Sequence, residues 1–344
     1  MTSMLRTPLH GAFAWTGGEM AGRPGWAEEL TPAELAELDA ALRHAQARGA
    51  QLFTMTRDDF PLDRLRDRLL RLREELEDGR GFQLLRGVPV ERYSLDEARM
   101  LFWGLAVHLG EPEPQDAQGA LMHDIRDTGQ RVETTDNVRG FQTNNELHFH
   151  NDGGDAFMLL CLRTAKSGGT SKLVSVAALF NEVLARRPDL AEVLQQPFHF
   201  DARAQQLSGK PKVQVVPLLQ YHAGRLSALQ KRAYIDLAQR FPEVPRLTRE
   251  QVEALDMVDA ICADPAFHLS FEMRPGDIQF GSNHAVLHSR TEYVDHDDPA
   301  LKRHLLRTWL TLPNGRPLPP SYAATREFGH TWQRREARPA ASAG

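Results

Sequence analysis

Leu147-His148-Phe149-His150-Asn151-Asp152 concentrates metal-ligating side chains in one short stretch. On an extended strand alternate side chains share a face, so His148, His150 and Asp152 point the same way, and a His and an Asp two apart reach one ion. A second stretch opens with the turn Pro275-Gly276-Asp277, turns again at Gly281-Ser282-Asn283, and as a hairpin carries His288 to a strand end in the core. Two imidazoles and one carboxylate, with the other positions open, are the donor set that suits non-haem Fe(II) oxygenases. Beyond them lie Arg303 and Arg307, four apart and therefore on one strand face. Arg307 sits between Leu305-Leu306 and Trp309-Leu310, where a charge needs a partner. A guanidinium there can clamp a carboxylate through two parallel hydrogen bonds. A dicarboxylate cosubstrate chelating iron at one end would present its other end to such an arginine.

The elements that must position these groups are readable around them. Thr31-Pro32-Ala33-Glu34 is a capping box, and the helix it opens runs to a stop at Gly49. A second helix spans roughly Leu62 to Glu77, with Leu62, Leu65, Leu69, Leu72 and Leu76 on one face and a solvated arginine face opposite. Ser94-Leu95-Asp96-Glu97 caps a third, reaching Leu109-Gly110, after a buried strand at Phe82–Leu85. From about residue 119 the texture changes to short strands separated by Gly, Pro and Asn, among them Ala120–Ile125, Thr143–His150, Phe157–Leu162, Asp277–Gly281, His284–His288 and Leu305–Leu312. Helical insertions are expected at Ala177–Arg187, at Ala228–Arg240 and after Thr248. The insertion over residues 228–263 reads equally as a lid or as packing. This pattern predicts a mainly β, α+β domain built on an antiparallel sandwich or barrel, residues 81–315, with residues 1–80 as a helical layer packed on it. The tail, 316–344, rich in Pro, Arg and Ala, is expected to fray.

Composition bounds the partners. The 344 residues carry 41 Lys+Arg against 46 Asp+Glu, a net charge of −5, with 41% hydrophobic residues and 25% charged. That is an ordinary globular composition. Its mild acidity argues against a nucleic-acid-binding surface. No apolar run approaches the roughly 20 residues needed to cross a bilayer. Cys161 and Cys262 are too few for a disulfide framework or a thiolate zinc cluster. A cytoplasmic protein acting on a small molecule is the expectation, with a homo-oligomer left open.

In combination the motifs resemble the taurine dioxygenase-type (TauD/TfdA) family of Fe(II)- and 2-oxoglutarate-dependent oxygenases, clavaminate synthase-like proteins included. The family pattern is His-x-Asp, Gly-Gly-x-Thr, a distal His, and two arginines four apart. Here these read His150-Asn151-Asp152, Gly168-Gly169-Thr170-Ser171, Leu287-His288-Ser289-Arg290 and Arg303…Arg307, in the expected order between Gly81 and Leu312. One departure is that Thr170 follows the glycines directly, so that Ser171 competes with it for the family's Thr position. The resemblance implies a double-stranded β-helix (jelly-roll) fold. It implies iron bound by His150, Asp152 and His288, and 2-oxoglutarate held at its distal carboxylate by Arg307 with Thr170, Arg303 supporting the metal end. It also implies O₂-dependent oxidation with release of succinate and CO₂, chiefly hydroxylation. Related halogenases carry a small residue at the position of Asp152, so its carboxylate points away from halogenation. Desaturation, cyclisation or carbon–heteroatom cleavage by the same oxidant is the alternative outcome.

Blander readings stand beside these. His148 with His150 also begins a cupin metal site, and a metal- or ligand-binding protein without catalysis would need neither Gly168-Gly169 nor the arginine pair. His284 shares parity with His288 but lies nearer the turn, and the remaining histidines read as surface or hydrogen-bonded core. Arg303 has Asp297 and Asp298 nearby to balance it. For substrate, Asn144 and Glu146 share parity with His150 and would face the cavity, while Arg290 shares a face with His288. Together they permit an amino-acid-like substrate.

Overall fold

A computed structural model describes residues 4–129, 140–206 and 209–337. Two sheets form its centre. The larger runs in the order Ala27–Glu29, Phe82–Arg86, Ile278–Ser282, Ala156–Arg163, His304–Thr311, Glu111–Glu113, with His123–Ile125 also pairing with His304–Thr311. All its pairs are antiparallel except that of Ala27–Glu29 with Phe82–Arg86. The first eighty residues therefore supply an edge strand as well as helices. The smaller sheet is Leu269–Phe271, Ser171–Ser175, Val286–Arg290, Leu147–His150, antiparallel throughout.

The helices Pro32–Ala47, Arg64–Glu77 and Leu95–Leu109 cover the outer face of the larger sheet. Thr31 and Ser94 complete capping boxes with Glu34 and Glu97, as their spacing requires. Asp63 makes no cap of its own. Glu37 of the preceding helix accepts hydrogen bonds from the backbone N–H groups of Asp63, Arg64 and Leu65 at 2.6, 2.9 and 2.9 Å. A carboxylate from a neighbour thus answers the positive end of the helix.

Two-residue alternation explains why the central strands are buried on both faces. Leu306 and Leu310 pack into the core beneath the helices, while Leu305 and Arg307, one step out of phase, line a cavity between the sheets. Phe280 and Met158 take the helical side; Gln279 and Leu159 take the cavity side. On the far side a second core gathers helices Val176–Arg186 and Arg249–Ala263 with the hairpin Pro197–Asp201/Val213–Pro217.

Three expectations change. The strand expected over Thr143–His150 begins only at Leu147, since residues 143–145 bend after the 3₁₀ turn Gly140–Gln142. The helix expected over Ala228–Arg240 spans Arg232–Ala238, Ala228 ending a strand instead. The stretch after Pro313 does not fray over the described residues: Pro320–Ala324 is a 3₁₀ turn and Arg326–Glu336 a helix capped by Thr325. Tyr322 and Phe328 are fully buried there, stacked at 4.5 Å, which anchors the segment to the second core. No helix among the described residues is long and apolar enough to cross a membrane.

Candidate active site

His150 and His288 are directly opposed across the strands Leu147–His150 and Val286–Arg290, their ring centroids 4.3 Å apart. Asp152 follows the first strand by two residues, and two asparagines hold its loop. Asn283 accepts from the Asp152 N–H at 3.1 Å and donates to the Gly153 carbonyl at 2.6 Å. Asn151 donates to the carbonyls of Asn283 and Val286 and exchanges bonds with the Gln230 backbone. Nε2 of His150 lies 3.9 Å, and Nε2 of His288 3.7 Å, from the Asp152 oxygens. One ligand atom from each of the three residues lies within 4.8 Å of the others, close enough to share one metal ion.

The protonation states favour that use. Nδ1 of His150 lies 2.8 Å from the His148 carbonyl, an acceptor, so Nδ1 carries the proton and Nε2 keeps its lone pair. Burial pushes His150 down, and burial with the neighbouring His150 pushes His288 down to about 3. Both imidazoles are therefore neutral at neutral pH, the form that ligates. Burial acts to raise the Asp152 carboxyl, but Arg307, His288, His150 and Lys231 outweigh it and hold the carboxyl below its usual range. The donor set is that of a 2-His-1-carboxylate iron centre.

The two arginines have different surroundings on the cavity. Arg307 lies at the metal end: its Nη1 donates to both Asp152 oxygens at 3.1 and 3.0 Å, and Nε donates to Gln115 at 2.8 Å. Its guanidinium is sandwiched between Phe141 and Trp309, 4.9 and 5.0 Å from their centroids. Arg303 makes no bond to the triad. It precedes the strand, about 13 Å of extended chain from Arg307, and its guanidinium stacks on Tyr293 at 5.0 Å. Its buried Nη1 has no partner within the protein, and the buried hydroxyl of Ser289, on the same cavity, has none either. Orphaned buried donors in a closed site mark where an anionic ligand is expected. A guanidinium already committed to a metal-ligating carboxylate is badly placed to take a cosubstrate's far end.

Thr170 does not line the cavity. Its hydroxyl turns outward and donates to Glu272, whereas Ser171, next along, lines the cavity. Gly168 and Gly169 force this phase, with φ of +75° and +78°. Thr291 Oγ1 holds the turn by accepting from the Gly169 and Thr170 N–H groups. A Cβ on Gly168 would meet the Glu292 carbonyl at 2.3 Å, so only glycine fits.

The three substrate residues do not assemble as expected. Asn144 and Glu146 are exposed and absent from the cavity wall, because strand parity does not extend back past Leu147. A register shift between His288 and Arg290, which pairs Arg290 with Leu147, breaks the phase further. Arg290 does line the cavity, but its Nη atoms donate to the backbone carbonyls of Thr143 and Asn145 and its guanidinium stacks on the Tyr293 face at 4.6 Å, leaving only the buried Nε without a partner. His148 is exposed, and His284 is buried against Asp155 at 3.0 Å, so neither is a fourth ligand. Sequence reasoning missed Gln115, Lys231, Arg326 and Glu327. Of these, only Lys231 stood in a segment flagged as possible cover, and the others carry no local motif.

The sequence model of the Taurine catabolism dioxygenase TauD, TfdA family matches residues 41–309. FR-33289 synthase of Streptomyces rubellomurinus is 31% identical over 334 residues, covering 95% of this chain and 97% of that protein. Among solved structures, asparagine oxygenase with Fe(II), 2S,3S-3-hydroxyasparagine and succinate superposes with a TM-score of 0.64 at 20% identity, over 83% of this chain and 93% of that one. The non-haem iron oxygenase OrfP with Fe and alpha-ketoglutaric acid does so at 0.62 and 19% identity, over 83% and 94%. With the family matched over most of its length and a triad of iron-ligand type at the end of its central strands, the chain belongs to the TauD, TfdA family and is a non-haem iron, 2-oxoglutarate-dependent oxygenase.

Proposed function

We propose that the protein hydroxylates a small polar, amino-acid-like acid at a site between the two faces of a double-stranded β-helix. In this reading His150, Asp152 and His288 hold Fe(II). The observation that carries the assignment of the remaining residues is the unpartnered Arg303 Nη1 on the same cavity as the triad. Arg303, with Ser171 and Ser289 beside it, takes the distal carboxylate of 2-oxoglutarate. Arg307, at the metal end, takes the acid group of the substrate. When bound, iron and 2-oxoglutarate supply the O₂-activating chemistry, the cosubstrate leaving as succinate and CO₂.

The chain's own work is positional. Gln115 fixes Arg307 by accepting from its Nε and donating to its carbonyl at 2.9 Å, so the cation stays beside Asp152 instead of swinging to solvent. Once Asp152 gives its charge to a metal, Arg307 has a free fork for a substrate acid. Leu159, Leu305 and Ile125 give the cavity an apolar wall. The hydroxyasparagine held by the asparagine oxygenase neighbour supports the amino-acid-like class.

The test is succinate release with Fe(II), 2-oxoglutarate and O₂ across a panel of amino acids and related small acids. Substrate-stimulated succinate formation that disappears in His288→Ala is the expected result. Stoichiometric metal binding with no 2-oxoglutarate turnover under any substrate would contradict the proposal.

A further inference from the structure

Three cations and one shared carboxylate surround the substrate side of the metal site. Lys231 is buried, 8% exposed, and pairs with Glu327 at 3.2 Å. Arg326 reaches the same Glu327 oxygen at 3.5 Å. Arg326 and Arg307 share Trp309, lying 5.9 and 5.0 Å from its ring centroid, and both bond to Gln115. Lys231 adjoins Gln230, whose backbone clasps Asn151 between the two metal ligands, and its ammonium lies 5.3 Å from the Tyr234 ring. Its charge is felt at His150, Asp152 and His288, and that of Arg326 at Arg307.

Among the described residues, Asp152 and Glu327 are the carboxylates paired with these three cations. Asp152 is the group a metal neutralises. That leaves Arg307, Lys231 and Arg326 against Glu327 alone, two positive charges in excess among buried side chains beside the metal site. The indole N–H of Trp309, buried between the two arginines, has no partner within the protein. Buried charge uncompensated by the protein requires a ligand of opposite sign.

Resting on the proposed function above, we infer that the substrate's acid group is a tetrahedral phosphorus oxyanion carrying two negative charges, received by Arg307, Lys231 and Arg326. A single carboxylate satisfies Arg307 and leaves the excess half unmet. A phosphate monoester or a phosphonate supplies both charges and three acceptor oxygens, enough to reach donors on separate elements. Lys231 and Arg326 are on this account specificity-determining residues, brought in by the segment after Ala228 and by the C-terminal helix.

The experiment titrates the anaerobic Fe(II)- and 2-oxoglutarate-loaded protein calorimetrically with propylphosphonate, propyl phosphate, propanesulfonate and butyrate at pH 8, recording the visible band of the loaded site in the same samples. Sulfonate has the tetrahedral shape with a single charge, so it isolates the charge. Both phosphorus acids are expected to bind about tenfold or more tighter than sulfonate and butyrate, the scale of one added charge-assisted hydrogen bond. The preference shrinks at pH 6 as the second ionisation is lost. Lys231→Gln and Arg326→Gln each lower the phosphorus-to-sulfonate ratio about tenfold, and Lys231→Arg restores it. A purely structural ion pair would weaken all four probes alike. Propyl phosphate binding tighter than propylphosphonate assigns a phosphate ester as the headgroup, and the reverse assigns a phosphonate. Equal binding of all four probes, or a ratio unmoved by either Gln variant, overturns the inference while the visible band stays intact. Absence of the band overturns the cosubstrate reading beneath it, and the inference with it.

Discussion

At the scale of single residues, the site separates two arginines that look equivalent in sequence. Arg303 and Arg307 both line the cavity, but one has an orphaned hydroxyl on the same cavity and the other donates to a metal-ligating carboxylate. Arg303→Leu is therefore expected to raise the 2-oxoglutarate concentration needed for half-saturation by about 10- to 100-fold, the scale of a lost charge-assisted pair. Arg307→Leu should leave that titration nearly unchanged and weaken substrate instead. Titrating the visible band of the Fe(II) protein with 2-oxoglutarate distinguishes them, and the opposite ordering would favour the assignment that the family resemblance implies. Ser171→Ala should weaken 2-oxoglutarate by a few-fold, the worth of one neutral hydrogen bond, while Thr170→Ala should do nothing to it. The triad residues were legible because His-x-Asp and the distal His are defined by type and spacing. The division of labour between the arginines was not, because parity says which face a side chain takes and nothing about how far along the cavity it sits.

Elements were legible where a periodic apolar pattern met a cap. Thr31 and Ser94 begin their helices where the capping boxes place them, and the strands carrying His288 and Arg307 lie within two residues of expectation. Asn144 and Glu146 misled because the strand begins only at Leu147, behind bends at 143–145, and a register shift breaks the alternation there. The C-terminal helix was hidden by its composition. Pro319-Pro320 reads as a breaker, yet Pro320 is the first residue of a turn, where its missing N–H costs nothing. Only Phe328 and a few neighbours mark the buried face of Arg326–Glu336. Phe328→Ala should cost about 3–5 kcal/mol in urea unfolding, and a loss under 1 kcal/mol would show that the helix is not docked. Burial acts to raise the Glu327 carboxyl, but Lys231 and Arg326 override it and hold it at about 2. A depressed carboxyl contributes stability that is complete above its unfolded value of 4.5 and is lost as pH falls toward 2. Thermal unfolding of Glu327→Gln should thus be less acid-sensitive than wild type between those limits. An unchanged acid limb would remove Glu327 from the account.

Over the whole molecule, the site exists because two sheets face each other and each central strand is buried twice. His304–Thr311 is buried at every position, with leucines toward the helices and Leu305 and Arg307 toward the cavity. Leu306→Ala should lower stability by about 2–5 kcal/mol and leave 2-oxoglutarate binding intact, since it faces away from the site; a change in the cosubstrate titration would show that the two faces are coupled. The overall charge of −5 conceals a cationic cavity, lined by Arg290, Arg303 and Arg307 with Asp152 as the opposing carboxylate. Net charge argued against nucleic acid but could not reveal which small anions the molecule draws in. That depends on folding, which brings the tail and the insertion against the metal loop.

The central claim is that the triad holds iron and Arg303 holds the far end of 2-oxoglutarate. It is tested most directly by adding Fe(II) and then 2-oxoglutarate to the protein without oxygen and recording the visible spectrum. The expected result is a weak metal-to-ligand charge-transfer band that needs both additions, is absent in His288→Ala, and requires far more cosubstrate in Arg303→Leu than in Arg307→Leu. Stoichiometric metal binding with no band at any 2-oxoglutarate concentration would contradict it.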